Sequence, residues 1–234
     1  MEKFYLAMFF VFGSVMGSFY YVLATRLSKG ESIVTPASHC DNCKKKLKWY
    51  ELIPIISYII QGGKCRSCGA KLLPNYLMME VCTGVLFAVC YHKFGFKLEL
   101  ITSLVFVSSL ITVIISDIEY MIILDEVLIF GIVAIILLDI IDIGVYETSI
   151  RILYGMGSFA TMWLIQKMGN IMFKQESLGG GDIKLMFLIG LVIGYSMSIC
   201  NIFLATFIAF PIALYLLITN KDNIIPFGPF LCMS

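Results

Sequence analysis

Seven stretches of this chain are so continuously apolar that lipid, not water, is the solvent they suit. They run over residues 4–25, 76–91, 98–116, 121–138, 150–168, 183–195 and 198–219. Lipid offers a backbone no hydrogen-bond partner, so each run is expected to close its own hydrogen bonds as a helix. A full crossing takes about 20 residues, which leaves 76–91 and 183–195 short. An eighth apolar run begins near Ile224, but the chain stops at Ser234, too soon to cross. That ending fits a truncated chain or an unusually short final helix. The first run is long and offers no small-residue cleavage site, so it reads as a helix and not a signal peptide. Composition agrees: 59% of the residues are hydrophobic and 14% charged, with mean hydropathy +0.92. Soluble domains carry about 25% charged residues. The expected fold is therefore an all-α polytopic integral membrane protein of seven to eight transmembrane helices.

One long polar segment interrupts this pattern. Residues 26–75 hold nine of the 17 basic residues, among them the "KKKLK" run, against Glu31, Asp41 and Glu51. Basic loops of this length stay in the cytoplasm, so the run reads as a topological signal and solvated surface, not as a nucleic-acid site. The near-zero net charge of +1 says nothing about partners, because the charges are segregated. The expected division is a first transmembrane helix over 1–26, a cytoplasmic loop domain over 27–75 and a helical core over 76–234. Counting crossings from that loop places Asp117 at the inner end of the third run. The acidic turn with Asp139, Asp142 and Glu147 falls outside. Asp182 returns to the inner face at the start of the sixth run, and Lys221 and Asp222 lie inside. Lys93 and Lys97, in a turn counted as outside, weakly oppose this orientation.

The loop contains Cys40-x2-Cys43 and, 21 residues later, Cys65-x2-Cys68. Each C-x-x-C presents two thiolates on a tight turn, and two such turns can close a tetrahedral zinc site. Disulfides are the competing reading, but cytoplasmic thiols stay reduced. A closed four-sulfur site leaves no position for substrate, so the expected zinc is a staple for the loop. His39 is a substitute ligand of lower rank, and His92 reads as an interfacial residue. Cys82, Cys90, Cys200 and Cys232 sit in apolar runs and read as core or lipid-facing residues.

Ionisable residues bordering a membrane helix are functional candidates by default. Asp125 and Glu126 have a simpler explanation as first-turn acids stabilised by a helix dipole. Asp117 does not, because it ends a helix, where the dipole disfavours a carboxylate. Asp182, in "GGGDIKL", is open to a second reading as a helix N-cap. Taken as a pair on one membrane face, the two acids suggest a dyad. Two carboxylates at one site hold one proton between them. The charged member can then activate water while the protonated member polarises a carbonyl, which is aspartic-peptidase chemistry. Gly179, Gly180 and Gly181 would let an extended peptide approach the backbone there.

These residues, taken together and in order, resemble the type IV prepilin peptidases over almost the whole chain. "GSVMGSFYYVLATRL" is similar to the family's amino-terminal motif, with Tyr21 where asparagine is usual. The paired C-x-x-C loop with "LKWYELIPIISYIIQGGKCRSC" is similar to the family's cytoplasmic domain, with Leu52 replacing a common asparagine. "PNYLMMEVCTG" resembles the segment leading into the second helix. "DIEYMIILDEV" resembles the D-x6-P-D signature, with Leu124 in the proline position, a change that bears on how the helix starts. "GGGDIKL" matches the G-x-G-D box, and "IPFGPFL" the start of the last helix. The resemblance implies that Asp117 and Asp182 are the catalytic dyad. It also implies that prepilins or pseudopilins are the substrates, cut after a glycine at the cytoplasmic face of the bacterial inner membrane. Many members then methylate the new amino terminus with S-adenosylmethionine, and Glu80 and Gly84 are the candidate residues here. No glycine-rich nucleotide fingerprint supports that second activity independently.

Two other functions fit parts of the sequence. One is a different G-x-G-D intramembrane protease, against which the cysteine loop counts. The other is a proton- or cation-coupled transporter, which predicts mid-membrane acids on broken helices in matched halves. No internal repeat is visible, and the acids lie at helix ends.

Overall fold

The computed structural model describes residues 1–40, 42–174, 179–218 and 226–234. Lys221, Asp222 and the Ile224 start of the last apolar run lie outside the described residues. The chain forms two compact units, 1–115 and 116–234. Among the described residues every long element is a helix, as the apolar runs predict.

The first unit contains α1 (Glu2–Ser28), the short α2 (Ile56–Ile60), α3 (Pro74–Phe94) and most of α4 (Leu98–Tyr120). Its axis is the pairing of α1 with α3. The backbones touch because small residues face each other: a Cβ on Gly13 would lie 2.7 Å from the Thr83 carbonyl oxygen. A Cβ on Gly84 would lie 2.8 Å from that of Phe10. Between membrane helices, where hydrophobic burial gives little drive, such close approach supplies the attraction. Tyr20 reaches α4 through a 2.6 Å hydrogen bond between its hydroxyl and Ser108 Oγ. Tyr21, where the resembling family has asparagine, is buried with its ring 3.9 Å from that of Tyr76. Aromatic contact fills that position in place of an amide. Phe9 and Tyr91 stack at 4.7 Å towards the other end of the same pair of helices.

The second unit contains the last turn of α4, then α5 (Asp125–Asp142), α6 (Gly144–Phe173), α7 (Gly180–Ile193), α8 (Tyr195–Ile218) and α9 (Gly228–Met233). With 14 residues, α7 is about 21 Å long, short of a bilayer core. Its apolarity has another cause. Leu185, Leu188 and Leu191 are fully buried, and α5, α6 and α8 pack around the helix. A helix that is hydrophobic all round is a core helix, and α7 is the core of this unit. In contrast, α8 exposes Phe203, Phe207 and Phe210, the side expected of a lipid-facing helix.

Among the described residues four helices are long and apolar enough to cross a membrane: α1, α3, α4 and 195–215 of α8. The helices α5, α6 and α7 occupy the other runs read from the sequence; α5 carries four acids, and α7 is short. One of those acids, Asp139, is not a solvated turn residue. It is buried inside α5, and both its oxygens accept hydrogen bonds from Arg151 Nη1 of α6 at 3.0 Å.

Candidate active site

Asp117 sits in the last turn of α4, and a tight turn through Met121, in left-handed conformation at φ +55°, leads to α5. In the resembling family a proline precedes the acid that opens the next helix. Here Leu124 takes φ −75° and ψ 114° as the residue before α5. Proline fixes φ near −65°, so leucine reaches the same start without the ring. The φ of Leu124 is one that a proline at this position would also adopt. Asp125 then opens α5 in the first turn, as the dipole argument expects, and pairs with Lys184 of α7 at 2.7 Å. Both partners are about half exposed, so the ion pair contributes little.

Asp182 lies in the first turn of α7 but does not cap it. The residue before the helix is Gly179, and no side chain caps this end. Asp182 is thus not the N-cap residue, although its carboxylate accepts from the Gly179 backbone N–H. Burial makes the point sharper: Asp117 and Asp182 are each only 6% exposed. Among the described residues neither joins an ion pair. Asp182 Oδ1 is buried with no hydrogen-bond partner, while Oδ2 faces Gly179. A buried carboxylate without an ion pair is costly to the fold.

The two acids are brought together by Gly181 and by two residues, Ile123 and Gly228, to which the sequence alone gives no role. Ile123, in the turn after Asp117, packs on Gly181, where a Cβ would lie 2.6 Å from its own Cβ. The Ile123 side chain also approaches Gly228, at the start of α9. Gly228 donates its backbone N–H to Asp117 Oδ2 at 3.0 Å, across 111 residues of sequence. The two carboxylates lie within electrostatic range of each other, and Cys232 of α9 lies within range of both. The glycines thus divide their work. Gly181 permits packing against Ile123, whereas among the described residues Gly180 meets nothing within 4 Å and Gly179 meets the Asp182 carboxylate.

The cysteine loop belongs to the first unit. The thiols of Cys40, Cys43, Cys65 and Cys68 all lie within 4.8 Å of one another, a donor set for one metal ion. Two matching knuckles build it. The Cys40 N–H donates to Lys45 O and the Lys44 N–H to Cys40 O; the Cys65 N–H donates to Ala70 O and the Gly69 N–H to Cys65 O. The fifth residue of each knuckle is left-handed, Lys44 at φ 57° and Gly69 at φ 71°. The Ala70 backbone N–H, opposed by desolvation and helped by the Asn42 amide, holds the Cys68 thiol down to about 6. Cys43 is pushed up to about 11 by desolvation and its thiol neighbours, although the Lys45 backbone N–H favours its thiolate. Four thiolates this close cannot all ionise without a cation among them.

Glu80 and Gly84, on one face of α3, have different surroundings. Glu80 is buried, and its Oε2 accepts the Ile55 N–H at 2.7 Å. Gly84 faces α1 in the close packing already described.

Comparison with known proteins gives the same picture over the whole chain. The model of the Bacterial Peptidase A24 N-terminal domain matches residues 11–94, and that of the type IV leader peptidase family matches residues 104–214. The Prepilin leader peptidase/N-methyltransferase of Bacillus subtilis (strain 168) is 35% identical over 229 residues, covering 96% of this chain and 89% of the relative. The chain belongs to the type IV leader peptidase family. Relatives with the same name include one from Myxococcus xanthus (strain DK1622), 33% identical over 77% of this chain and 54% of its own length. Another, from Legionella pneumophila, is 28% identical over 87% of this chain and 71% of its own. No solved structure matches the chain. With bacterial relatives and four helices able to cross a bilayer, this member of the family is a bacterial inner-membrane protein.

Proposed function

We propose that the chain is a membrane-embedded aspartic endopeptidase that removes the basic leader from type IV prepilins or pseudopilins. The observation that carries this reading is the pair of buried acids, Asp117 and Asp182, which have no ion-pair partner among the described residues. One proton shared between them leaves one member charged to activate a water and the other able to polarise the scissile carbonyl. The Gly228 N–H supports the position of the Asp117 carboxylate. Gly179 and Gly180 leave the approach to Asp182 open for an extended peptide, with Gly181 at the base of that approach. The basic loop argues for a cytoplasmic 27–75 segment, and alternating crossings carry the dyad to the same face. The relatives' names include an N-methyltransferase, and we extend that second activity to this chain, with S-adenosylmethionine as the donor.

Zinc is the metal that best suits the four cysteines. A tetrahedral zinc–thiolate site with bonds of about 2.3 Å sets sulfurs about 3.8 Å apart. Cys40 Sγ and Cys68 Sγ lie at 3.8 Å. Bound there, zinc would tie the two knuckles and leave no open position for substrate.

The test is reconstitution of the purified chain in proteoliposomes with a panel of peptides. The panel includes a substrate with a basic leader, glycine and a Phe-led apolar helix, along with signal-peptide remnants and unrelated membrane anchors. Cleavage after the glycine of the first substrate only, by protein carrying one zinc per chain, is the expected result. Cleavage of the remnants alone would indicate a different intramembrane protease, and ion flux without cleavage would indicate a transporter.

A further inference from the structure

The polar loop that carries the four cysteines turns apolar side chains outward at one place. In α2, Ile56, Ile59 and Ile60 are exposed, the last two at 66% each, and their spacing puts them on one helix face. The opposite side is the polar one: Ser57 and Gln61 line a cavity between the loop and the ends of α1 and α3. A surface helix in water is arranged the other way round. The 3₁₀ turn Trp49–Glu51 packs beside α2, and its Trp49 is 77% exposed. An apolar face turned outward from a polar loop marks a binding surface.

The level of this face along the membrane helices points to what covers it. Ile55, the residue before α2, donates its N–H to Glu80 Oε2 of α3 at 2.7 Å. Glu80 lies in the second turn of α3, about 9 Å along the helix from Pro74. The Ser18 side chain of α1 hydrogen-bonds the same carboxylate. Both helices are able to cross a bilayer, and at this level they expose Phe19, Met78 and Val81. The chain between the two cysteine pairs thus dips to a depth at which α1 and α3 already show apolar side chains. Ile55 is held there at φ 61°, a strained value for a β-branched residue that its surroundings must impose.

Charge supplies the other half. Lys48 and Arg66 lie over the Tyr50 ring at 5.7 and 5.4 Å, next to Trp49. Isoleucines, a tryptophan and basic side chains together compose a segment that lies in the interface of an anionic leaflet. We propose that α2 and Trp49 are seated in the leaflet beside the cysteine loop. Ile56, Ile59 and Ile60 then lie among the acyl chains, and Lys48 and Arg66 lie against anionic phospholipid headgroups. The loop domain is held from two sides, by Glu80 of α3 and by lipid. This seat needs no substrate, so it stands or falls separately from the peptidase reading.

The experiment uses the full chain with Trp163→Phe, which leaves Trp49 as its single tryptophan. It is reconstituted in nanodiscs of phosphatidylglycerol and phosphatidylcholine, the latter brominated at a shallow or a deep acyl position. An interfacial face is buried about 5–10 Å, so shallow bromines should lower Trp49 emission at least about twofold, and more than deep ones. Aqueous iodide should quench it little. Ile59→Asp combined with Ile60→Asp alters two exposed positions and should abolish the bromine effect, with metal content unchanged. Quenching by iodide and not by brominated lipid would overturn the proposal, showing a solvated face. Protection from both quenchers would also overturn it, showing that protein, this chain or a second copy, covers the face. Full bromine quenching in the aspartate pair would place Trp49 in lipid without α2 and overturn the seating of that helix.

Discussion

Asp182→Asn should lower leader cleavage by at least about 10³-fold, and Asp117→Asn should do the same, with membrane insertion and elution from detergent unchanged. Asparagine preserves the shape of either side chain but can neither give nor take the shared proton. Because the two acids would act as a unit, the double variant should be no worse than the worse single one. Stability is expected to move in the opposite direction. An unpaired buried carboxylate is a cost to the fold, and Asp182 Oδ1 has no partner. Removing its charge should therefore leave the thermal midpoint level or raise it. Wild-type turnover in either asparagine variant, measured on the leader-bearing peptide, would end the dyad account.

Gly228→Ala should reduce kcat about 100-fold and change KM little. The added Cβ would stand 2.7 Å from Asp117 Oδ2, where no atom fits without moving the carboxylate or lifting α9. Displacements of about 1 Å at a reacting group cost about that factor. The position is the first residue of a six-residue helix, so the global midpoint should hardly move. Gly181→Ala is expected to do comparable damage by another route. There the clash is Cβ against Cβ of Ile123, at 2.6 Å, and it pushes the start of α7 away from the α4–α5 turn. Wild-type kcat in both alanine variants would show that neither contact sets the position of an acid.

The sequence is legible where one physical rule dominates. Lipid forces helices, so the apolar runs and the elements agree, with boundaries displaced by a few residues where polar turns extend a helix. Paired C-x-x-C spacing in a reducing compartment favours a thiolate cluster, and the four sulfurs meet. Charge in an apolar helix end demands an explanation, and Asp117 and Asp182 are both buried. What the sequence leaves dark is contact across long separations. Nothing local marks Gly228 as the donor to Asp117, although a glycine–proline pair opening a short last helix was a signal available to reading. Ile123 looks like any other apolar residue until Gly181 and Gly228 are seen against it. Cys232 reads as core, and nothing in the sequence shows that it lies within electrostatic range of both acids. Asp139 reads as part of an acidic turn because its partner Arg151 lies on the next helix. For Asp182 the sequence leaves two readings open, a helix N-cap or one of a pair, and the N-cap position belongs to Gly179.

The central claim is that two acidic side chains remote in sequence share one small space. A disulfide tests it directly, because the bond forms only when Cα atoms lie within about 7 Å and the side chains converge. The protein to use carries Asp117→Cys and Asp182→Cys with Cys232→Ser, since the native thiol sits near both positions and would compete. The zinc ligands stay in place. After mild oxidation in the membrane, a bond between the two introduced cysteines is expected, read by mass spectrometry of the linked peptides. Two thiols that each react with a small alkylating reagent, yet never join each other, would contradict it.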